Sequence, residues 1–242
     1  MLADRKTNKK SEVIIGSLNV HGKKYANGSY KYKDITTMIR KNKMAILATQ
    51  ESRLNEIEEK KIEAMCPKIH IIRNSNSMAK EGVAFVINKD LVKDRKIEHK
   101  TLIQNRMSRL TIKWNDEITI DIVNLYVPNN EKEKIDFFKR TKHIIKNLKN
   151  KENLIIMGDF NCVEDRLDRL PMNKDDNKVI EALQMITKEN KMTDGWRESN
   201  PSEKDYTHES TNRSLARIDR IYVKEDKLEL CQADVTFYLL DT

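Results

Sequence analysis

Leu154-Ile155-Ile156-Met157-Gly158-Asp159-Phe160-Asn161 decides how the rest of the chain is read. Its four leading apolar residues are too few for a helix and read as a short buried strand. The strand ends in Gly-Asp-Phe-Asn, a turn composition that carries a carboxylate and an amide. The same event recurs along the chain. Residues 14–20 deliver Asn19, 46–49 deliver Gln50 and Glu51, 123–127 carry Asn124 and Tyr126, and Ile218 and Ile221 bracket Asp219. Polar groups in buried strands need partners. Strand ends of this kind can converge on one pocket at a sandwich edge.

Outward from that stretch, β-branched runs predict strands over 13–20, 44–49, 68–73, 83–88, 109–114, 117–127, 216–223 and 233–239. Trp114-Asn115-Asp116-Glu117 reads as a hairpin turn. Helical spacing appears at Ile35, Met38 and Ile39, over 54–66, over the basic stretch 131–150 with Ile135, Phe138, Ile145 and Leu148 inward, and over 175–190. Antiparallel-looking strands dominate, with no regular βαβ beat. The expected class is therefore α/β (α+β), a two-sheet sandwich flanked by helices and not a doubly wound fold. The first 12 residues are polar and expected to fray.

Composition narrows the function. The chain has 242 residues, a length that suits one large domain. Forty-six Lys and Arg against 38 Asp and Glu give a net charge of +8, which favours a polyanionic partner. No apolar run approaches the ~20 residues that span a bilayer, and the N-terminus lacks a signal-peptide core. Cys66, Cys162 and Cys231 are an odd number, widely spaced, which argues against a disulfide scaffold or a structural zinc site. Phosphate-cradling glycine motifs and the G-x-S-x-G elbow are absent from the sequence. Carboxylates and amides without paired histidines or cysteines suit a hard cation such as Mg²⁺, so metal-assisted attack of water on a phosphodiester remains. Taken singly, each residue has a plainer role. Asn19 is equally a turn or cap residue, Glu51 a first-turn helix acid, Asp159 and Asn161 turn formers, and Tyr126 a core residue.

Taken in order, S-L-N-V (17–20), Q-E (50–51), N-L-Y-V-P-N (124–129), G-D-F-N (158–161) and R-I-D-R-I-Y-V (217–223) resemble the endonuclease/exonuclease/phosphatase superfamily, and its apurinic-type endonucleases in particular. Three further features resemble the endonuclease domain of LINE-type (non-LTR) retrotransposons. They are D-R-L-D-R (165–169) after the Gly-Asp-Phe-Asn turn, D-G-W-R (194–197) with Pro201 and Tyr206-Thr207-His208, and the strand that begins at Arg217.

The resemblance implies a four-layered αββα sandwich over residues 13–242 and a Mg²⁺-dependent endonuclease, with Mn²⁺ as a possible substitute. Such an enzyme nicks double-stranded target DNA and leaves a 3′-hydroxyl primer for a reverse transcriptase domain in the same natural polypeptide. It implies nuclear action and needs neither a membrane nor a small-molecule cofactor. By the same resemblance Glu51 binds the metal and Asp159 positions or deprotonates the attacking water. Asn161 and Asn19 organise the scissile phosphate, Tyr126 hydrogen-bonds near it, and Asp219 holds a catalytic histidine. Thr207 and Asn129 contact the DNA backbone, and Arg217 is grouped with them.

One departure stands out. The family pattern closes on Ser-Asp-His, whereas this chain closes on Leu240-Asp241-Thr242. None of His21, His70, His99, His143 and His208 stands in that context. The expected alternatives are an abasic-site repair enzyme or a catalytically impaired DNA-binding module. The stretches 165–176 and 197–214, polar and charged, are the expected seat of any target preference.

Overall fold

The computed structural model describes residues 12–75 and 81–231. The chain opens with β1 (Ile14–Asn19), α1 (Tyr32–Lys41), β2 (Met44–Gln50), α2 (Glu56–Met65), β3 (Ile69–Asn74) and β4 (Val83–Asn88). After the single turn α3 (Lys89–Val92) come β5 (Ile97–Ile103), β6 (Met107–Lys113), β7 (Thr119–Tyr126), α4 (Glu131–Lys146) and β8 (Leu154–Asp159). The last third holds β9 (Arg169–Leu170), α5 (Asn177–Glu189), β10 (Met192–Asp194), α6 (Gly195–Ser199), β11 (His208–Glu209), β12 (Leu215–Ala216) and β13 (Asp219–Lys224).

Two sheets stack face to face. One has the order β1-β2-β4-β3 and the other β10-β13-β8-β7-β6-β5, with a small β11-β12-β9 sheet beside them. Between the large sheets lie Ile46, Phe85, Leu110, Ile122 and Met157, each 2% exposed or less. Under α1 and α2 a second core gathers Tyr32, Ile35, Ile39, Ile62 and Ile71. Beneath α4 and α5 a third gathers Val123, Phe138, Ile145, Leu183 and Tyr222. Helices therefore cover the outer face of each sheet, giving the four layers expected from the sequence.

Local chemistry explains the elements. Asn55 and Glu58 form a reciprocal capping box that starts α2. Asn130 caps α4, whose apolar stripe of Phe137, Phe138 and Ile145 faces the sheet. The 114–117 turn closes on a bond from the Trp114 N–H to the Ile118 carbonyl, as its composition predicts.

Gly158 sits at φ +137°, and a Cβ there would lie 2.0 Å from the Leu125 carbonyl oxygen. Only glycine lets β8 run that close to β7.

Three details differ from the expectation. β1 pairs with β2 and β7 with β8 in parallel, each through one helix, within otherwise antiparallel sheets. β5 was not anticipated, because Glu98, His99 and Lys100 interrupt its apolar pattern. It is an edge strand with a half-exposed face, where such residues are tolerated. The 216–223 run is broken between β12 and β13, because the Arg217 N–H bonds the Asp168 carbonyl outside any ladder. The expected strand over 233–239 and the N-terminal segment 1–11 lie outside the described residues.

Candidate active site

The strand ends do converge. Asn19 closes β1, Glu51 follows β2, Tyr126 closes β7 and Asp159 closes β8. The Asn19 Nδ2 amide donates to Glu51 Oε1 at 3.1 Å and to Asp159 Oδ2 at 2.9 Å. The Tyr126 hydroxyl donates to the same Glu51 Oε1 at 3.1 Å. Four residues spread over 140 positions thus form one hydrogen-bonded cluster bridging the two sheets.

Left-handed backbone recurs at the site. Glu51 and Asn161 adopt φ of +50° and +48°, and His21, two residues beyond Asn19, adopts +46°. Non-glycine residues occupy this region when surrounding contacts enforce it. Here the His21 N–H bonds Asn19 Oδ1 at 3.0 Å, the Gly22 N–H bonds the Glu51 carbonyl at 2.9 Å, and the Asn161 N–H bonds Asp159 Oδ1 at 2.8 Å. The Asn161 amide then ties down the Val127 carbonyl at 2.7 Å, and the buried Lys134 ammonium holds the Asn161 carbonyl. Beneath the cluster, Gln50 and Asn124 bond across the sandwich at 2.7 Å, and Asn124 also satisfies the Thr49 and Ala84 carbonyls. Asn124 is therefore a buried tie between sheets, set one layer below the reactive groups.

The carboxylates differ in charge state. Burial pushes Glu51 up, but the nearby His21 imidazole, the Asn19 hydrogen bond and the Arg53 guanidinium outweigh it, holding the pKa at about 2. Asp159, 2% exposed, is pushed up to about 6 by burial and the Glu51 charge, against the pull of its Asn161 and Asn19 hydrogen bonds and of His21. Asp219 pairs in register with Asp159. Burial and the Asp159 charge raise it well above the ordinary carboxylate range. Its Oδ1 is buried without a hydrogen-bond partner among the described residues. The Tyr126 hydroxyl is raised by burial and by Glu51 and Asp159, so it stays a donor.

Thr207 joins from the side. Its hydroxyl oxygen accepts the Ile218 and Asp219 N–H groups at 3.1 Å each, leaving its hydrogen to donate outward. Asn129 stands apart, exposed on the turn before α4.

Arg217 corrects an expectation. Its side chain is 1% exposed and chelated by Asp168 at 2.8 Å twice and by Asp194 at 3.2 and 2.7 Å, so it offers no face to DNA. Arg197 completes the group by bonding Asp168, and Trp196 lies 4.8 Å from both guanidinium carbons. The D-R-L-D-R, D-G-W-R and Arg217 motifs are therefore one buried ionic knot that fastens the 165–176 and 197–214 stretches together.

Sequence reasoning missed His21 and His208. Their rings lie 6.1 Å apart beside Glu51, and His21 Nδ1 is 3.6 Å from Glu51 Oε1. The signal was present in His21 following Asn19 by two residues and in His208 closing the Tyr206-Thr207-His208 motif, but neither stands in the Ser-Asp-His context of the resembled catalytic histidine.

Among the described residues no group of three His, Cys, Asp or Glu side chains is arranged to hold a metal. An ionised Glu51 backed by amide and hydroxyl groups instead fits a hard cation that keeps most of its water and takes few protein ligands.

Comparison with known proteins agrees with this fold. An AP endonuclease from Archaeoglobus fulgidus superposes with a TM-score of 0.71 at 18% identity, over 90% of this chain and 89% of that one. The endonuclease domain of TRAS1, a telomere-specific non-LTR retrotransposon, superposes at 0.61 with 15% identity, over 82% and 81%. At these identities the likeness establishes the fold. A Xenopus laevis protein, the transposon TX1 uncharacterized 149 kDa protein, is 28% identical over 137 residues. That match takes in 55% of this chain and 10% of the transposon protein's length. The model of the endonuclease/exonuclease/phosphatase family matches residues 16–239, and the chain belongs to that family.

Proposed function

We propose that this chain is a divalent-metal-dependent DNA endonuclease that nicks one strand of a target duplex and leaves a 3′-hydroxyl. The observation that carries this reading is the Asn19–Glu51–Tyr126–Asp159 cluster, in which one carboxylate is held ionised and another is poised near neutrality.

The division of labour follows from the charge states. Glu51 would hold Mg²⁺, or Mn²⁺ in its place, through an oxygen that stays charged at any working pH. Bound there, the cation would offset negative charge building on the phosphate oxygens. Asp159, with a pKa of about 6, is ionised at neutral pH yet basic enough to take a proton from an attacking water. Asn19 fixes both carboxylates with one amide, so their separation is set before substrate arrives. Tyr126 stays protonated and steadies Glu51 with its hydroxyl, and Thr207 keeps a hydrogen to donate toward phosphate. Asn161 orders the turn after β8, and the exposed Asn129 would contact the DNA backbone. The net charge of +8 suits backbone contacts to DNA, which position the protein and make binding salt-dependent.

The transposon relative supports a place in a longer transposon polypeptide. The proposal extends this to a reverse transcriptase domain that would use the nick's 3′-hydroxyl and to action on chromosomal DNA in the nucleus. The test uses end-labelled duplexes with and without one abasic site in Mg²⁺. Cleavage of the intact duplex, leaving an end that a polymerase extends, is expected. Strong preference for the lesion would make this a repair enzyme. Duplex binding with no product would favour a DNA-binding module.

A further inference from the structure

We propose that His21 and His208 form an imidazole clamp on the phosphate of the bound phosphodiester, each giving an N–H to a non-bridging oxygen. The inference rests on the reading above and names two contact residues for it.

The two histidines come from separate elements. His21 leaves β1 in a left-handed conformation at φ +46°, which the Asn19 side chain enforces by accepting the His21 N–H. His208 opens β11, opposite Ala216 in the small sheet and next to Thr207, whose hydroxyl is bound to the start of β13. Nothing in local sequence joins them, yet their rings approach to 6.1 Å at a 42° tilt. One phosphate group can bridge that gap with a hydrogen bond of about 2.9 Å to each ring.

Their surroundings point the same way. His21 is half exposed and reaches toward Glu51, at 3.6 Å, from the open side of the site. No hydrogen bond to the His208 ring occurs among the described residues, so its N–H is left for a ligand. Burial and the neighbouring His21 hold His208 below the usual imidazole range, which keeps it a neutral donor at working pH. A neutral donor stabilises developing charge on a phosphate oxygen without competing with the carboxylates for the cation. Arg53, 2.6 Å from Glu51, adds a cation beside the same carboxylate.

The experiment follows the imidazole nitrogens of the full chain by long-range ¹H–¹⁵N NMR while a short duplex is added in EDTA, where no cleavage occurs. The signals of His21 and His208 should shift, while those of His70, His99 and His143 stay in place. Unmoved His21 and His208 signals with duplex bound, or no binding at all, would overturn the clamp. Alongside, His208→Phe should lower kcat for nicking by about 10²-fold, the loss expected for one donor to a developing oxyanion, with KM changed less than about twofold. His208→Gln, which keeps an N–H, should recover part of that loss. Equal loss in both variants, or none in either, would mean a packing role and would also overturn the clamp. The two readings fail separately. A wild-type chain that nicks, loses activity as Glu51→Gln and keeps it as His208→Phe leaves the nuclease standing without the clamp. A chain that shifts both imidazoles yet nicks nothing keeps the clamp without the nuclease.

Discussion

Two clusters of buried carboxylates lie in this molecule, and they are opposites. Asp168 and Asp194 face Arg217 and Arg197, and the guanidinium groups overcome burial to hold Asp168 below the ordinary range. Asp159 and Asp219 face amides, a hydroxyl and each other, and both are raised. The residue types are the same and the depth is similar. What differs is the partner. A carboxylate matched to arginine is spent on holding loops together. One matched only to neutral donors keeps free energy for a proton or a cation.

Breaking the arginine side should have the largest effect. Arg217→Ala strips Asp194 of its guanidinium partner and leaves Asp168 with Arg197 alone, and should cost about 3–5 kcal/mol in denaturant unfolding. A loss below about 1 kcal/mol would mean that the knot is not what joins its two stretches.

On the other side, Asp159→Asn should lower nicking by about 10²–10⁴-fold, the range for removing a general base. Its melting temperature should hold or rise, because the fold disfavours the ionised form it removes. Lost activity together with lost stability would erase the contrast between the clusters.

A pH series sharpens the comparison. The folded pKa of Asp159 is raised, so its contribution to stability is full at low pH and declines as pH rises through about 6. Asp168 is lowered, so its contribution is present above the unfolded value and is lost as pH falls through the folded one. Nicking should fall roughly tenfold per pH unit below about 6 as Asp159 takes up its proton. A flat rate between pH 5 and 7, on the order of the range that spans this pKa, would remove Asp159 from the role of base.

The smallest effect belongs to Arg53. It is an arginine on the reactive side, and its side chain is 44% exposed. Arg53→Ala should change stability by less than about 1 kcal/mol, since an exposed pair contributes little.

Much of this is legible in the sequence alone. Period and turn chemistry carried the layers, because the sandwich core demands apolar runs at β2, β4, β7 and β8 while the outer helices need only a stripe. Asn19, Glu51, Tyr126, Asp159 and Asn161 were legible as strand ends and as an ordered motif set. Other features were hidden for physical reasons. β5 has one solvated face, so its charges masked its period. Arg217 is a charge whose burial depends on Asp168, 49 positions away, and no local pattern carries that. His21 and His208 are far apart in sequence and meet only in the tertiary fold.

The most direct measurement of the central claim is nicking of supercoiled plasmid in Mg²⁺ by the wild-type chain beside Glu51→Gln and Asp168→Asn, each checked for folding by circular dichroism. The account predicts open-circular product from wild type, none from folded Glu51→Gln, and nicking by whatever folded fraction Asp168→Asn retains. Undiminished nicking by Glu51→Gln would contradict it, because the cluster at the strand ends would then not be where the phosphodiester is cut.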